Sequence, residues 1–356
     1  MSSKVYFTRV ANREPDEALA EKAAKLYAKA GFAAQLASGR PVAIKQHFGE
    51  KGTEGYLKPP IARRFAELIR KAGGKPFVTD TNTLYRGERS NAVDHLNLCA
   101  SHGFTHEGVG CPVIIADGLM GSSQVWVTID GKHYQRVPIA ADAFHAHAIV
   151  VLTHVKGHLA AGLGGAIKNV GMGCASRAGK LDQHHGDVPI VDAETCSACA
   201  RCAELCPGEA ITVGKTAVID KEKCIGCGEC LAICPVGAVE FEWGETSRNL
   251  QEKMVEHALA VQRTHEHRMC YFNFMTHMTK ECDCMGIQQE VLFEDVGIVA
   301  GDDIVAVEQA TVDLILKKVG KDVFREFHPG IDYTPQLEYG EAVGLGSRKY
   351  ELVEIA

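Results

Sequence analysis

The chain has 356 residues, a formal net charge of −7, 46% hydrophobic and 23% charged side chains. That length accommodates two or three domains, each with its own core. The acidic balance and the lack of basic runs exclude nucleic acid and anionic membrane surfaces as expected partners. No apolar run approaches a bilayer span, and "MSSKVYFTRVANREPDE" has no signal-peptide pattern, so the expected location is cytoplasmic. Fourteen cysteines in a reducing compartment point to metal ligation rather than disulfides.

In chain order, "DEALAEKAAKLYAKAG" has helical periodicity ending at a glycine, and "PVAIKQHF" follows as a short strand. "PPIARRFAELIRKAGG" opens on proline and closes on glycine, as a helix does, and runs into the strand-like "KPFVTDTN" with Asp80 at its carboxyl end. A helix in "AVDHLNLCASHGF", a strand in "PVIIADG" and a helix end entering a buried strand in "AFHAHAIVVLTHVKG" continue the alternation. It resumes after residue 243 with "NLQEKMVEHALAVQRT", "MCYFNFMT", "VGIVAGDDIVAVEQATVDLILKKVG" and "QLEYGEAVGLGSRKYELVEI". The reading is an α/β domain with a mostly parallel sheet, in two segments (1–186 and 244–356), interrupted by a small α+β domain at 187–243.

The interruption holds a repeat. "CSACARCAELCPGEAITV" recurs 28 residues later as "CIGCGECLAICPVGAVEF", each half spaced C-x2-C-x2-C-x3-C-P. This segment resembles the bacterial two-cluster ferredoxins, in which the fourth cysteine of each half ligates the other half's cluster. Two [4Fe–4S] clusters are therefore expected, one on Cys196, Cys199, Cys202 and Cys234 and one on Cys224, Cys227, Cys230 and Cys206. Zinc is the weaker alternative for this doubled pattern.

Immediately before it lies "GHLAAGLGGAIKNVGMGC", residues 157–174. Its glycines do not follow G-x-G-x-x-G, and "SRAGKL" puts Leu181 where a phosphate loop needs serine or threonine. Two readings stay open: a glycine-permitted tight turn, or a ligand site using Gly162, Gly164, Gly165, Lys168 and Asn169, with Arg177 and Lys180 nearby for an anion. His158 and Lys168 are the candidate catalytic residues. "HVKGHLAAGLGGAIKNVGMG", "ECDCMG" and "VGIVAGDDIVAVEQATVDLI" together resemble the iron–sulfur-centre proteins of the "domain of unknown function 362" family, which implies cluster binding and electron transfer. "HLAAGLGGAIK" is more distantly similar to a loop of nickel-pincer lactate racemases. That likeness implies nickel contact at His158 and a cofactor bond at Lys168.

Cys270, Cys282 and Cys284 form the expected third site, for a further cluster or a metal ion, with His277 between them in sequence. Cys282 and Cys284 should face one way on an extended chain, whereas Cys270 could equally be core. Cys99 and Cys111 read as core, and Cys174 as either packing or pocket wall. Asp80 and Arg86 fall where α/β domains place ligands. His154, His158, His184 and His185 flank the glycine stretch, and Asp302, Asp303 and Glu308 read as the start of a helix.

The functional expectation is an iron–sulfur electron-transfer protein, passing electrons between redox partners such as ferredoxin-linked oxidoreductases and a site in the α/β domain. The alternatives are an oxidoreductase acting on a small anionic substrate or cofactor at the glycine stretch, and a cluster scaffold using Cys-Asp-Cys. A homodimer is a further expectation.

Overall fold

The computed structural model describes residues 2–184, 188–241 and 247–355. The expected domain boundaries at 186/187 and 243/244, and His185, lie outside the described residues.

Eight strands form the main sheet: β1 (Ser3–Arg9), β2 (Pro41–Gln46), β3 (Lys75–Asp80), β4 (Val113–Ile115), β5 (Ala148–His154), β6 (Met269–Met275), β7 (Gly297–Gly301) and β8 (Tyr350–Glu354). Their spatial order is β8-β1-β7-β6-β5-β2-β3-β4. All neighbours pair in parallel except across β7, which is antiparallel to both β1 and β6. The fold is thus α/β with a mixed, mostly parallel sheet, as the alternation predicts.

The central strands are buried on both faces, which is why β5 ("AIVVLTH") and β6 ("MCYFNFM") read as continuous apolar runs. Period-two alternation divides β6 between two cores. Cys270, Phe272 and Phe274 join the core under α1 (Asp16–Ala30) and α2 (Pro59–Lys71), and Met269, Tyr271 and Met275 join the opposite one. The opposite face is covered by α4 (Ala166–Gly171), α6 (Ser247–His265), α7 (Ile304–Val319) and α8 (Pro335–Ala342). Local signals end these helices where expected. Gly31 at φ 75 closes α1, and Pro59 and Pro60 open α2. Asn91 caps α3 (Ala92–Ser101), and Asp303 caps α7 through the N–H groups of Val305 and Ala306.

The cysteine-repeat segment builds two small two-stranded sheets. Ile190–Val191 pairs with Val239–Glu240, and Ile211–Val213 pairs with Ala217–Ile219. Short helices Arg201–Glu204 and Glu229–Ile233 lie between them. Each feature of the first half has its counterpart 28 residues on, so the first strand of one half pairs with the last of the other. The segment rests on the main unit through Leu84 and Leu181, which pack with Leu231, Cys234, Ala238 and Val239.

Candidate functional site

Chain direction reverses around β2 and β5. From β2 the chain moves outward through β3 to β4, and from β5 it moves the other way to β6. Crevices at the carboxyl ends of strands around such a point are where open α/β sheets bind ligands. A cavity of about 340 Å³ lies there. Lys45 and His47 reach it from β2, Asp80, Tyr85 and Arg89 from β3 and the loop after it, His154, Lys156 and His158 from β5 and the hairpin after it, and Cys282 and Cys284 from the loop after β6. Helix α4 contributes Lys168 and Asn169, and α5 (Arg177–His184) contributes Lys180 and His184.

The glycine stretch forms a hairpin, Lys156–His158 against Gly162–Gly164, followed by α4. Of the residues expected to bind a ligand, Gly164, Gly165, Lys168 and Asn169 line the cavity and Gly162 does not, while several of the glycines pack closely against neighbouring elements. Gly162 is a turn residue at φ 72. A methyl on Gly165 would land on the Glu308 carboxylate, and one on Gly171 would land on the Met254 carbonyl of α6. Glu308, expected as part of a helix start, reaches across from α7 instead. It accepts the N–H groups of Ala166 (2.9 Å) and Ile167 (3.3 Å) at the first turn of α4, and Asn273 Nδ2 at 2.8 Å. It thereby fixes the helix that carries Lys168.

Five cations line the cavity (Lys45, Arg89, Lys156, Lys168 and Lys180) against a single carboxylate among the described lining residues, Asp80. Lys45 pairs with Asp80 at 2.9 Å, and Arg89 with Glu50 at 3.1 Å. Burial alone would raise Asp80, but Lys45, His47 and Arg89 outweigh it and hold the carboxyl well below its usual range. Lys156 and His154 Nδ1 both contact Asp283, at 3.1 and 2.8 Å. Among the described residues Lys180 bonds neutral oxygens, Thr81 Oγ1 and the Ala175 carbonyl, each at 2.7 Å. Burial brings its ammonium down to about 8.

At one wall, Lys168 Nζ donates to Cys282 Sγ at 3.1 Å. The hydrogen bond from Cys284, helped by the Lys168 and Lys156 charges, holds the Cys282 thiol well below its usual range despite burial. His158 Nδ1 accepts the N–H groups of Ala160 and Ala161, so the proton of the neutral ring sits on Nε2. Burial and the nearby Lys168 keep that ring neutral. One donor atom each from His158, Cys282 and Cys284 lies within 4.8 Å of the other two, a group that could hold a metal ion. Around one thiolate-bound ion, ligands about 2.3 Å from the metal stand about 3.8 Å apart, so this spacing suits a single ion rather than three corners of a cubane.

The third site is thus composed differently from the expected one. Cys270 is buried with Phe65 and Phe272 in the core beneath α1 and α2, and is not brought to Cys282 and Cys284. His158 stands in its place. Residues Asp283–Met285 form a 3-10 turn rather than an extended chain, yet both cysteines still line the cavity. His277 is half-buried with its N–H on Asp295 and is absent from the lining. Cys99, Cys111 and Cys174 are all buried in the apolar cores, the first two on one face of the sheet and Cys174 on the other, and Cys174 does not line the cavity. Arg86 is exposed, on the Pro235 carbonyl. Arg89, Tyr85 and Lys45, not singled out in the sequence, face the cavity instead. Only the carboxyl-end position of Lys45 and the loop after Asp80 hinted at them.

The eight repeat cysteines gather in two sets. One small cavity is lined by Cys206, Cys224, Cys227 and Cys230, and another by Cys196, Cys199, Cys202 and Cys234. Three residues in each half take left-handed backbone conformations at matching positions: Ala198, Ala200 and Glu209, then Gly226, Gly228 and Gly237. Backbone N–H groups of Ala210, Ala217 and Ala238 donate to the sulfurs of Cys206, Cys196 and Cys234 at 3.2–3.4 Å. Four-thiolate cavities with amide donors on the sulfurs fit tetrahedral metal or cluster ligation.

The family described as "Domain of unknown function (DUF362)" matches residues 42–313, and the chain belongs to it. No curated protein matches the sequence. Among solved structures, the chain is similar to the lactate racemase apoprotein from Thermoanaerobacterium thermosaccharolyticum at 11% identity and a TM-score of 0.43, covering 87% of this chain and 56% of that one. A protein from Thermotoga maritima gives 8% identity and a TM-score of 0.44, covering 88% and 61%. The chain therefore spans only about three-fifths of either structure's length. No helix among the described residues is long and apolar enough to cross a membrane.

Proposed function

We propose that this protein carries electrons through two [4Fe–4S] clusters to a small anionic ligand in the cationic cavity. The observation that carries the reading is the gathering of the eight cysteines into two cavities, each combining three ligands of one half with the fourth of the other. When bound, such clusters supply one-electron transfer with little rearrangement. The left-handed residues and amide donors around each set orient N–H groups toward the sulfurs. Cys199 is exposed, which suits exchange with an external redox partner at the first site.

Leu84 joins the two regions. It lines the large cavity and lies close to Gly228, between Cys227 and Cys230 of the second site. In the cavity, Lys180 and Lys168 supply the charge that retains an anion, and the His158 Nε2–H is placed to donate a hydrogen bond to it. Cys282 and Cys284 offer a metal ion two sulfurs at the same wall, and His158 would join them on giving up its Nε2 proton.

Anaerobic purification with iron and sulfide counting, followed by electron paramagnetic resonance, tests this reading. The expected result is eight irons and eight sulfides, with interacting cluster signals on reduction. Reoxidation of the reduced protein should accelerate with a small carboxylate or phosphate compound that fills the cavity. Protein holding two zinc ions and no sulfide would refute it.

A further inference from the structure

We infer that Arg177 is the counter-charge of the second cysteine site and makes the cluster bound there the more easily reduced of the two. This inference rests on the two-cluster reading above. Arg177 opens α5 and is fully buried. Its Nη2 donates to the Ser90 carbonyl, while Nε and Nη1 have no partner among the described residues. Asp117 acts on it electrostatically, but Asp117 Oδ2 is likewise without a hydrogen-bond partner among the described residues, so no hydrogen bond joins the two. A buried guanidinium with two unmet donors is unfavourable unless further negative charge faces it.

The stem of Arg177 shows where that charge would be. It runs along Gly228, where a methyl would meet Arg177 Cγ at 3.1 Å and Cδ at 3.3 Å. Gly228 separates Cys227 from Cys230, whose charges, with that of Glu229, act on the guanidinium. The repeat is asymmetric at this point. The position 28 residues earlier is Ala200, which tolerates its methyl in the same left-handed conformation at φ 63. Glycine thus stands in the half against which the arginine presses.

Four thiolates on a cubane give it net negative charge, and reduction adds one more. A buried cation favours the reduced form, and weak screening in the interior makes that preference large. The first site has an exposed cysteine, and Arg177 lines neither small cavity but stands directly behind Gly228 of the second. One electron would then pass from the first cluster, which is oxidised, to the second, which is reduced, on the side where Leu84 adjoins the cavity.

Redox titration of the holoprotein, read by electron paramagnetic resonance, tests this. Arg177→Met keeps the apolar stem and removes the charge, so it is made beside Arg177→Gln. Arg177→Lys retains a charge, and Arg86→Gln is an exposed control. In Arg177→Met and Arg177→Gln one cluster should be reduced to a tenth or less at the potential that half-reduces it in the wild type. The other cluster should shift by less than threefold. Arg177→Lys should recover most of the effect, and Arg86→Gln should leave both clusters within twofold. Loss of four irons of eight in the Met variant would also support the assignment. Eight irons retained with both potentials unmoved would overturn it. Wild-type protein without clusters would instead refute the function proposed above.

Discussion

Asp80 and Asp117 are both fully enclosed, yet their surroundings pull them apart. Asp80 has a lysine at 2.9 Å and stays ionised, whereas burial pushes Asp117 up to about 6 from 3.8. Asp117 Oδ1 accepts the N–H and Nδ2 of Asn82, but its other oxygen has no partner. Between those two pKa values the folded protein holds a proton that the unfolded chain has released, so stability falls as pH rises through that range. From pH 5 to pH 7 Asp117 should remove about 1 kcal/mol of stability, and Asp117→Asn should abolish that slope. Urea unfolding of both proteins across this range measures it, and parallel curves would exclude the effect. The sequence offers no sign of this difference, since both aspartates sit near strand ends. What separates them is Lys45, 35 residues before Asp80, which pairs with Asp80 and not with Asp117.

Backbone contact explains much of the glycine content at the level of elements. Helix α4 crosses α6 so closely that Gly171 has no room for a methyl against the Met254 carbonyl. Gly171→Ala must push α4 and α6 away from each other on the core face, at a cost of about 1–3 kcal/mol. It should also displace Lys168 and Asn169, which α4 carries. Gly214→Ala, in the tight turn between Val213 and Thr216 where nothing lies within 4 Å of the added methyl, should be neutral or slightly stabilising. Chemical denaturation of the pair separates close packing from a general cost of replacing glycine. A destabilised Gly214→Ala equal to Gly171→Ala would remove the packing explanation.

Long elements with end signals were legible in the sequence: the Pro–Pro start and Gly–Gly stop of α2, the Asp303 cap of α7, the apolar runs of β5 and β6. The hairpin before α4 was not, because three-residue strands are too short for periodicity to register. Nor was the capping of α4 by Glu308, which lies 142 residues from Ala166 and joins it only once β6 and α7 have packed.

At the scale of the whole molecule, spacing made the cysteine pairing readable, because a repeat is a one-dimensional signal that folding preserves. The cavity was only half readable. Cys282, Cys284, His158 and Lys168 could be named as candidates, but not that His158 rather than Cys270 completes the group, since strand alternation turns Cys270 to the other face of the sheet. The sheet unit and the cysteine-repeat segment also differ in what holds them. The main unit has two extensive apolar cores on either side of eight strands. The cysteine-repeat segment has two small clusters in which Cys202 and Cys234 are themselves buried members. So small a core does little to offset the chain entropy of some fifty residues, so on the two-cluster reading proposed above bound metal supplies the remaining stability. If the segment carries the clusters proposed above, stripping iron with a chelator should melt 188–241 while leaving the sheet intact. Hydrogen exchange would show amide protection lost at Ile211–Val213 and Ala217–Ile219 but kept at β2, β5 and β6. Simultaneous loss in all of them would mean that segment and sheet fold as one cooperative unit. Retention in all would mean that the segment's apolar contacts suffice without metal. Leu84 and Leu181 make the outcome informative, because they are the described apolar contacts through which melting of the segment would reach the cavity.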